Sequence, residues 1–193
     1  MTIRQLILVS SMLIPAIVIA GTERQHGSHE HGVARLDVAI DDGKLQLHLI
    51  SPADNLLGFE HAPRNPEQQR VLTEALNTLR QAITLFVVNQ EAGCALEENE
   101  IESPFDEHDD HDHGHDDHAH EEHGHHDHGH DHDSHADIHA EWVLECRDTR
   151  SIDSLEIGLF EAFPRMQRIK VQLITEDRQD ATMLTPARYR IDL

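Results

Sequence analysis

The run of residues 106–135 is the feature that most constrains what this chain can fold into. Thirteen of its thirty residues are histidine, most others are Asp, Glu or Gly, and none is a large apolar residue. A segment without apolar surface cannot offset the entropy lost when its backbone is ordered. We therefore expect residues 106–137 to form a disordered insert, with the core built from the flanking segments.

The composition of this insert points to metal binding. Its imidazoles recur at two-residue steps and Asp or Glu fills most gaps, whereas a solvated linker needs no histidine. Neutral imidazole binds zinc, nickel and copper, and carboxylates can ligate or orient the ring. We expect zinc first, with nickel or copper possible; a pH sensor is the alternative function. The candidate ligands are His108, His111, His113, His115, His118, His120, His123, His125, His126, His128, His130, His132 and His135.

The N-terminus predicts export. Arg4 precedes an apolar run from Leu6 to Ala20, which has the length of a secretory signal and is short for a membrane span. We expect residues 1–20 to be a cleaved signal peptide and residues 21–193 to be a single exported domain without a membrane span. An uncleaved anchor is the alternative, which Ser10, Ser11 and Pro15 disfavour.

Charge narrows the class of partner. The formal net charge is −22, and it becomes −23 when Arg4 leaves with the signal, because 14 basic and 37 acidic residues remain. No Lys or Arg occurs from Gln81 to Cys146, so the negative charge surrounds the histidines. Such a field repels nucleic acid and anionic lipid and attracts cations. Metal ions are therefore the expected partners, and nucleic acid is not.

The two cysteines flank the insert. Cys94 and Cys146 enclose 51 residues, and an even count in an exported chain favours a disulfide between them. A bridge closing a loop of that size contributes roughly 4 kcal/mol in the chain-entropy model. The alternative is a pair of thiolate ligands for a soft metal.

The flanking segments predict an α+β fold, in which an antiparallel sheet packs against one long helix. Alternation from Val33 to Ser51 about Asp41-Asp42-Gly43 predicts a hairpin, and residues 51–63 a loop. Asn65 and Pro66 start a helix whose apolar residues recur at three- and four-residue steps up to Phe86. Further expected elements are strands at 94–100, 139–147, 169–175 and 188–193, the first two paired, and a short helix at 155–163.

A second group of histidines lies near the start of the first strand. His29 and His31 are two residues apart, and His61 follows in the loop GFEHAP. An ordered site forms if that loop folds over the strand; otherwise His61 is a hydrogen-bonded loop residue. No HExxH helix, phosphate loop or CxxC pair occurs, and Glu60 is the best candidate general base. We therefore expect a binding protein rather than an enzyme.

Several of these stretches together resemble the ZrgA family of periplasmic zinc-uptake proteins. They are HEHGVARLDVAI at 29–40, SPADNLLGFEHAP at 51–63, the acidic histidine run, HADIHAEWVLEC at 135–146, and the later FP and VQLIT. The resemblance implies zinc binding in support of an ABC-type importer, with His29, His31, His61 and His135 matching family histidines. Cys94 and Cys146 match its cysteines, whereas relatives usually carry Tyr at Trp142 and Ser at Ala136. The run varies in length within such families, so its residues do not correspond one by one.

Three functions follow, in order of preference. The first is a periplasmic protein that captures zinc through the acidic His-rich loop and an ordered histidine site and supports zinc import. The second is a buffer or detoxification protein for zinc, nickel or copper without a transporter partner. The third is an acidic interaction module that binds a cationic partner without metal.

Overall fold

The computed structural model describes residues 30–105 and 136–193. The expected signal peptide, His29 and the histidine insert lie outside this part of the chain. The described strands are β1 Val33–Asp41, β2 Lys44–Pro52, β3 Phe86–Val88, β4 Cys94–Glu102, β5 Asp137–Cys146, β6 Ser154–Ile157, β7 Arg168–Thr175, β8 Gln179–Leu184 and β9 Arg190–Asp192. The α-helices are α1 Ala53–Leu57, α2 Pro66–Leu79, α3 Ala82–Leu85 and α4 Leu159–Ala162.

Two sheets form the framework. The larger has six strands in the order β4-β5-β2-β1-β7-β8, and the smaller has the order β3-β6-β9. All pairs are antiparallel except β1 with β7, which run parallel. The α+β class is compatible with this mostly sheet architecture, but the prediction of an antiparallel sheet is wrong for that one pair. Alternation shows which face of a strand is buried and carries no information on its direction.

The hairpin predicted from Val33 to Ser51 is confirmed as β1 and β2, and its side chains show where the core lies. Asp42 and Gly43 have φ of 46° and 79°, the left-handed values that a two-residue hairpin turn requires. Leu45, Leu47 and Leu49 point to the buried face of the sheet, and their neighbours Gln46 and His48 point to the other. We call this second face the outer face of the sheet.

The long helix begins as predicted and ends early. The Asn65 side chain accepts a hydrogen bond of 2.9 Å from Gln68 N, and Pro66 occupies the first turn. The predicted end at Phe86 is wrong, because α2 stops at Leu79 and the one-turn α3 follows. The carbonyl of Leu79, which a continuing helix would bond to residue 83, instead accepts from the indole Nε1 of Trp142 at 2.8 Å. A tertiary contact thus overrides the apolar periodicity.

Other differences concern short elements. The predicted loop at 51–63 contains α1, and the predicted helix at 155–163 is strand β6 followed by the one-turn α4. β6 pairs with both β3 and β9, so distant strands decide its conformation. β3 and β8 were not predicted, while the strands at 94–100, 139–147, 169–175 and 188–193 are confirmed as β4, β5, β7 and β9.

The core lies between the inner face of the six-stranded sheet and the elements packed on it. The inner side of α2 contributes Leu72, Ala75, Leu76 and Leu79, all buried. In the two ranges that the structure covers, no helix has the length and apolar character needed to cross a membrane.

The disulfide between Cys94 and Cys146 is present. It joins directly opposed residues at the first position of β4 and the last of β5. The insert departs from the other end of this hairpin, eight residues away, or roughly 26 Å along a strand. The bridge therefore closes the far end of the hairpin, and backbone pairing between Glu102 and His139 holds the insert end.

Replacing both cysteines with serine is expected to lower the free energy of unfolding by about 2–4 kcal/mol, because the unfolded chain regains the entropy of a large open loop. Denaturant unfolding of the oxidised wild type and the double-serine variant measures this loss. Reduced wild-type protein is the matched control and is expected to resemble the variant. An unchanged midpoint in both would contradict a stabilising role.

Candidate metal site

The ends of the insert are anchored to the fold. The amide of Ala53 donates to the carbonyl of Ala136 at 2.8 Å, and Phe105 packs partly buried against the core. The thirteen candidate ligands from His108 to His135 lie outside the described residues, so their metal binding stays a prediction. The structure fixes only where the insert starts and ends, at one edge of the six-stranded sheet.

His31 lies in an acidic setting. Its Nε2 is 3.1 Å from Glu60 Oε1 and its Nδ1 is 3.9 Å from Asp54 Oδ2, while 62% of its side chain is exposed. Asp54 is held by Arg165, whose Nη2 donates to both carboxylate oxygens at 2.8 and 2.9 Å. Carboxylates in this position can orient a ligating imidazole or ligate beside it.

A buried asparagine holds the start of β1 against α1. Asn55, 1% exposed, accepts from Gly32 N at 2.6 Å and donates to Val33 O and Ser51 Oγ, each at 3.1 Å. Gly32 has φ of 80°, a conformation that favours glycine. Sequence reasoning missed this residue, although an asparagine inside the apolar stretch ADNLL was an available signal.

Replacing Asn55 with alanine is expected to cost about 2–3 kcal/mol, because buried backbone groups of Gly32 and Val33 lose their partner. Thermal or denaturant unfolding checks the loss. Asn99→Ala, at an exposed position on β4, is the matched control and is expected to change stability by less than about 0.5 kcal/mol. Equal effects of the two substitutions would contradict the role given to Asn55.

His61 directly follows Glu60 in the same loop. Its Nδ1 is 2.9 Å from Ala62 O and its ring stacks on Phe59, with centroids 5.3 Å apart. When Nδ1–H donates to that carbonyl, the lone pair is on Nε2 and is available to a ligand. The loop does reach the start of β1 through Glu60, but convergence of His29, His31 and His61 stays a prediction because His29 is outside the described residues.

Two further histidines meet on the outer face of the sheet. The rings of His48 on β2 and His139 on β5 have centroids 5.7 Å apart, and His48 Nε2 is 3.7 Å from Glu141 Oε1. Sequence reasoning gave neither His48 nor His139 a role. The contact depends on the β2–β5 register, which local sequence does not encode.

The edge strand next to β5 is strongly acidic. Strand β4 carries Glu97, Glu98, Glu100 and Glu102. The Lys44 ammonium donates a hydrogen bond of 2.7 Å to the Glu97 carboxylate. This hydrogen bond, together with the attraction between the two charges, raises the pKa of Lys44 above its ordinary value. Among residues 30–105 and 136–193, neither Glu100 nor Glu102 forms an ion pair.

Within the described ranges, no three His, Cys, Asp or Glu side chains are grouped closely enough to hold a metal ion as they stand. The described histidines thus occur in two places, His31 and His61 near α1, and His48 and His139 on the sheet. Neither place forms a closed ligand shell.

Comparison with known families gives one result. The family model described as ZrgA family zinc uptake protein matches residues 28–193, which include every described element and the insert. No curated protein matches the chain. The match covers most of the sequence and includes both regions of described histidines. The chain therefore belongs to the ZrgA family of zinc uptake proteins.

Proposed function

We propose that this chain is a periplasmic zinc-binding protein that captures zinc through its His-rich acidic insert and an ordered histidine site, and supports an ABC-type zinc importer. The observation that carries the proposal is the insert itself, with thirteen imidazoles among acidic residues in a chain of a zinc-uptake family. The protein binds and delivers an ion and catalyses no reaction on it.

Capture begins with charge. The segment from Gln81 to Cys146 contains no Lys or Arg, so its carboxylates attract divalent cations over a distance and raise their local concentration. Imidazoles then replace water on the ion, since nitrogen ligands suit zinc better than calcium or magnesium. A chain predicted to be disordered can bring three or four of its histidines around each ion. We expect several zinc ions per chain, bound with modest affinity and exchanging quickly.

Retention needs a more rigid site. The segment with His29 and His31 and the loop with His61 are the first candidates, and three contacts support this. Glu60 and Asp54 approach His31, and Asn55 fixes the backbone that follows it. Ligands held by a rigid backbone lose less entropy on binding an ion than ligands in a disordered segment. An ion collected by the insert would therefore pass to this site before delivery.

A buffer or detoxification protein is the second candidate, because a large binding capacity also suits storage of zinc, nickel or copper. The two functions predict opposite growth conditions. A strain lacking the chain is expected to grow poorly when zinc is scarce and normally when zinc is restored, if the protein supports import. Normal growth in scarce zinc with sensitivity to excess zinc, nickel or copper would contradict import and favour storage.

A further inference from the structure

We propose that His48, His139 and Glu141 form a zinc site on the outer face of the six-stranded sheet, separate from the insert and from His31 and His61. We call these three residues the sheet site. The inference rests on the proposal that the chain handles zinc, but it concerns other residues and can fail independently.

The spacing of the three side chains is close to that of zinc ligands. Two imidazoles bound to one tetrahedral zinc through nitrogens at about 2.0–2.1 Å have ring centroids about 5.2 Å apart. The centroids of His48 and His139 are 5.7 Å apart. Ligand atoms of the same tetrahedron are about 3.3 Å from one another, and His48 Nε2 is 3.7 Å from Glu141 Oε1. The two observed separations therefore exceed the values for ligands of one zinc ion by about 0.5 and 0.4 Å.

Backbone pairing holds these positions together. Glu141 is directly opposite His48, and His139 is opposite Ile50 in the same antiparallel pair, so His139 is the diagonal neighbour of His48. β2 and β5 are interior strands, each paired on both sides. Ligands on paired strands are more accurately placed than ligands on loops.

The side chains can still close around an ion. Glu141 is 61% exposed, so its carboxylate can turn without disturbing the core. An open depression of about 340 Å³ on the outer face is lined in part by His48 and Glu141, so an ion can reach these two side chains from solvent. The present separations are those of neighbouring side chains rather than of a closed shell, and binding would draw them together.

Electrostatics favour a cation at this place. Glu100 is directly opposite Glu141 and Glu102 is directly opposite His139 on the neighbouring strand β4. Like charges directly opposed across a sheet are destabilising. Among the described residues, Glu141 forms an ion pair with His48. The charge of nearby Asp37 is already balanced, because Asp37 pairs with Arg35 at 2.8 Å. A divalent ion would relieve this local excess of negative charge, which a merely solvated sheet face leaves uncompensated.

The position of the site suggests its use. Glu102, opposite His139, is the last residue of β4, and the insert begins four residues after it. An ion collected by the insert therefore has a rigid site at the insert's own base. We infer that the sheet site receives zinc from the insert by ligand exchange.

The test uses the full-length chain and an insert-Gln variant, in which the thirteen histidines of residues 106–135 are replaced by glutamine. His31→Gln/His61→Gln is added to the insert-Gln background, so that any ion held near α1 does not enter the count. In that combined background we compare chains with and without His48→Gln/His139→Gln. Glu141→Gln is compared with Glu145→Gln, which lies on the same face of the same strand. Zinc retained against a competing chelator is counted by native mass spectrometry, and circular dichroism checks folding. In the unmodified full chain, diethyl pyrocarbonate labelling at one equivalent of zinc reports on each histidine.

The expected result is that the combined background retains one zinc ion, and that adding His48→Gln/His139→Gln removes this ion or weakens its binding at least tenfold. Glu141→Gln weakens it and Glu145→Gln does not. Zinc also protects His48 and His139 from labelling. An unchanged zinc count without His48 and His139 would overturn the sheet site. If the wild-type chain still binds several ions, the proposed function stands; if it binds none, both proposals fail.

Discussion

Lowering the pH from 7.5 to 5.5 is expected to weaken zinc binding by the insert about a thousandfold. Imidazole has a reference pKa of about 6.5, so its neutral fraction falls about tenfold between these two pH values. Zinc needs the neutral form of each histidine ligand, and three ligands per ion multiply the effect. Carboxylates titrate near 4 and would change little over this range. The steepness therefore reports which side chains hold the metal.

Isothermal titration calorimetry at pH 7.5, 6.5 and 5.5 measures this change, and buffers of different ionisation enthalpy report the protons released. Calcium, which prefers oxygen ligands, is the matched control ion and is expected to show a much weaker pH dependence. A fall of less than tenfold for zinc would mean that Asp and Glu rather than histidine bind the metal.

Replacing Trp142 with alanine is expected to lower the free energy of unfolding by about 3–5 kcal/mol. Trp142 is 1% exposed and packs edge to face on Phe86, with ring centroids 4.7 Å apart. Its indole N–H also satisfies the Leu79 carbonyl at the end of α2. The substitution removes this packing, leaves a cavity and frees a buried acceptor.

Two variants separate these contributions. Trp142→Phe keeps most of the ring and loses the hydrogen bond, so we expect about 1–3 kcal/mol. Tyr189→Ala removes an exposed aromatic side chain and is the matched control, with an expected change below about 0.5 kcal/mol. Denaturant midpoints measure all three. A loss below about 1.5 kcal/mol for Trp142→Ala would show that the core does not depend on this ring as proposed.

Local patterns predicted the elements whose cause is local. Alternating leucines around an Asp-Gly turn were enough for the β1–β2 hairpin, and Asn65 with Pro66 was enough for the start of α2. The end of α2 was mispredicted because the deciding contact comes from Trp142, 63 residues away in sequence. The parallel pairing of β1 with β7 was also missed, since strand direction depends on the whole topology.

The candidate sites also divide into those that local sequence predicts and those that only the fold brings together. Composition was enough to select the insert, and proximity in sequence was enough to suggest His29 with His31. His48 and His139 are 91 residues apart, and only the β2–β5 register places them together. Asn55 was missed for a related reason, because its partners Gly32 and Val33 lie more than 20 residues earlier in the chain.

The central claim is that this chain binds zinc chiefly through the histidines of its insert. Native mass spectrometry of the oxidised full chain and of the insert-Gln variant, each titrated with zinc, tests it most directly. We predict several zinc ions on the full chain and about one or two on the variant, held by the ordered histidines. Equal numbers on the two chains, or no zinc on the full chain, would contradict this claim.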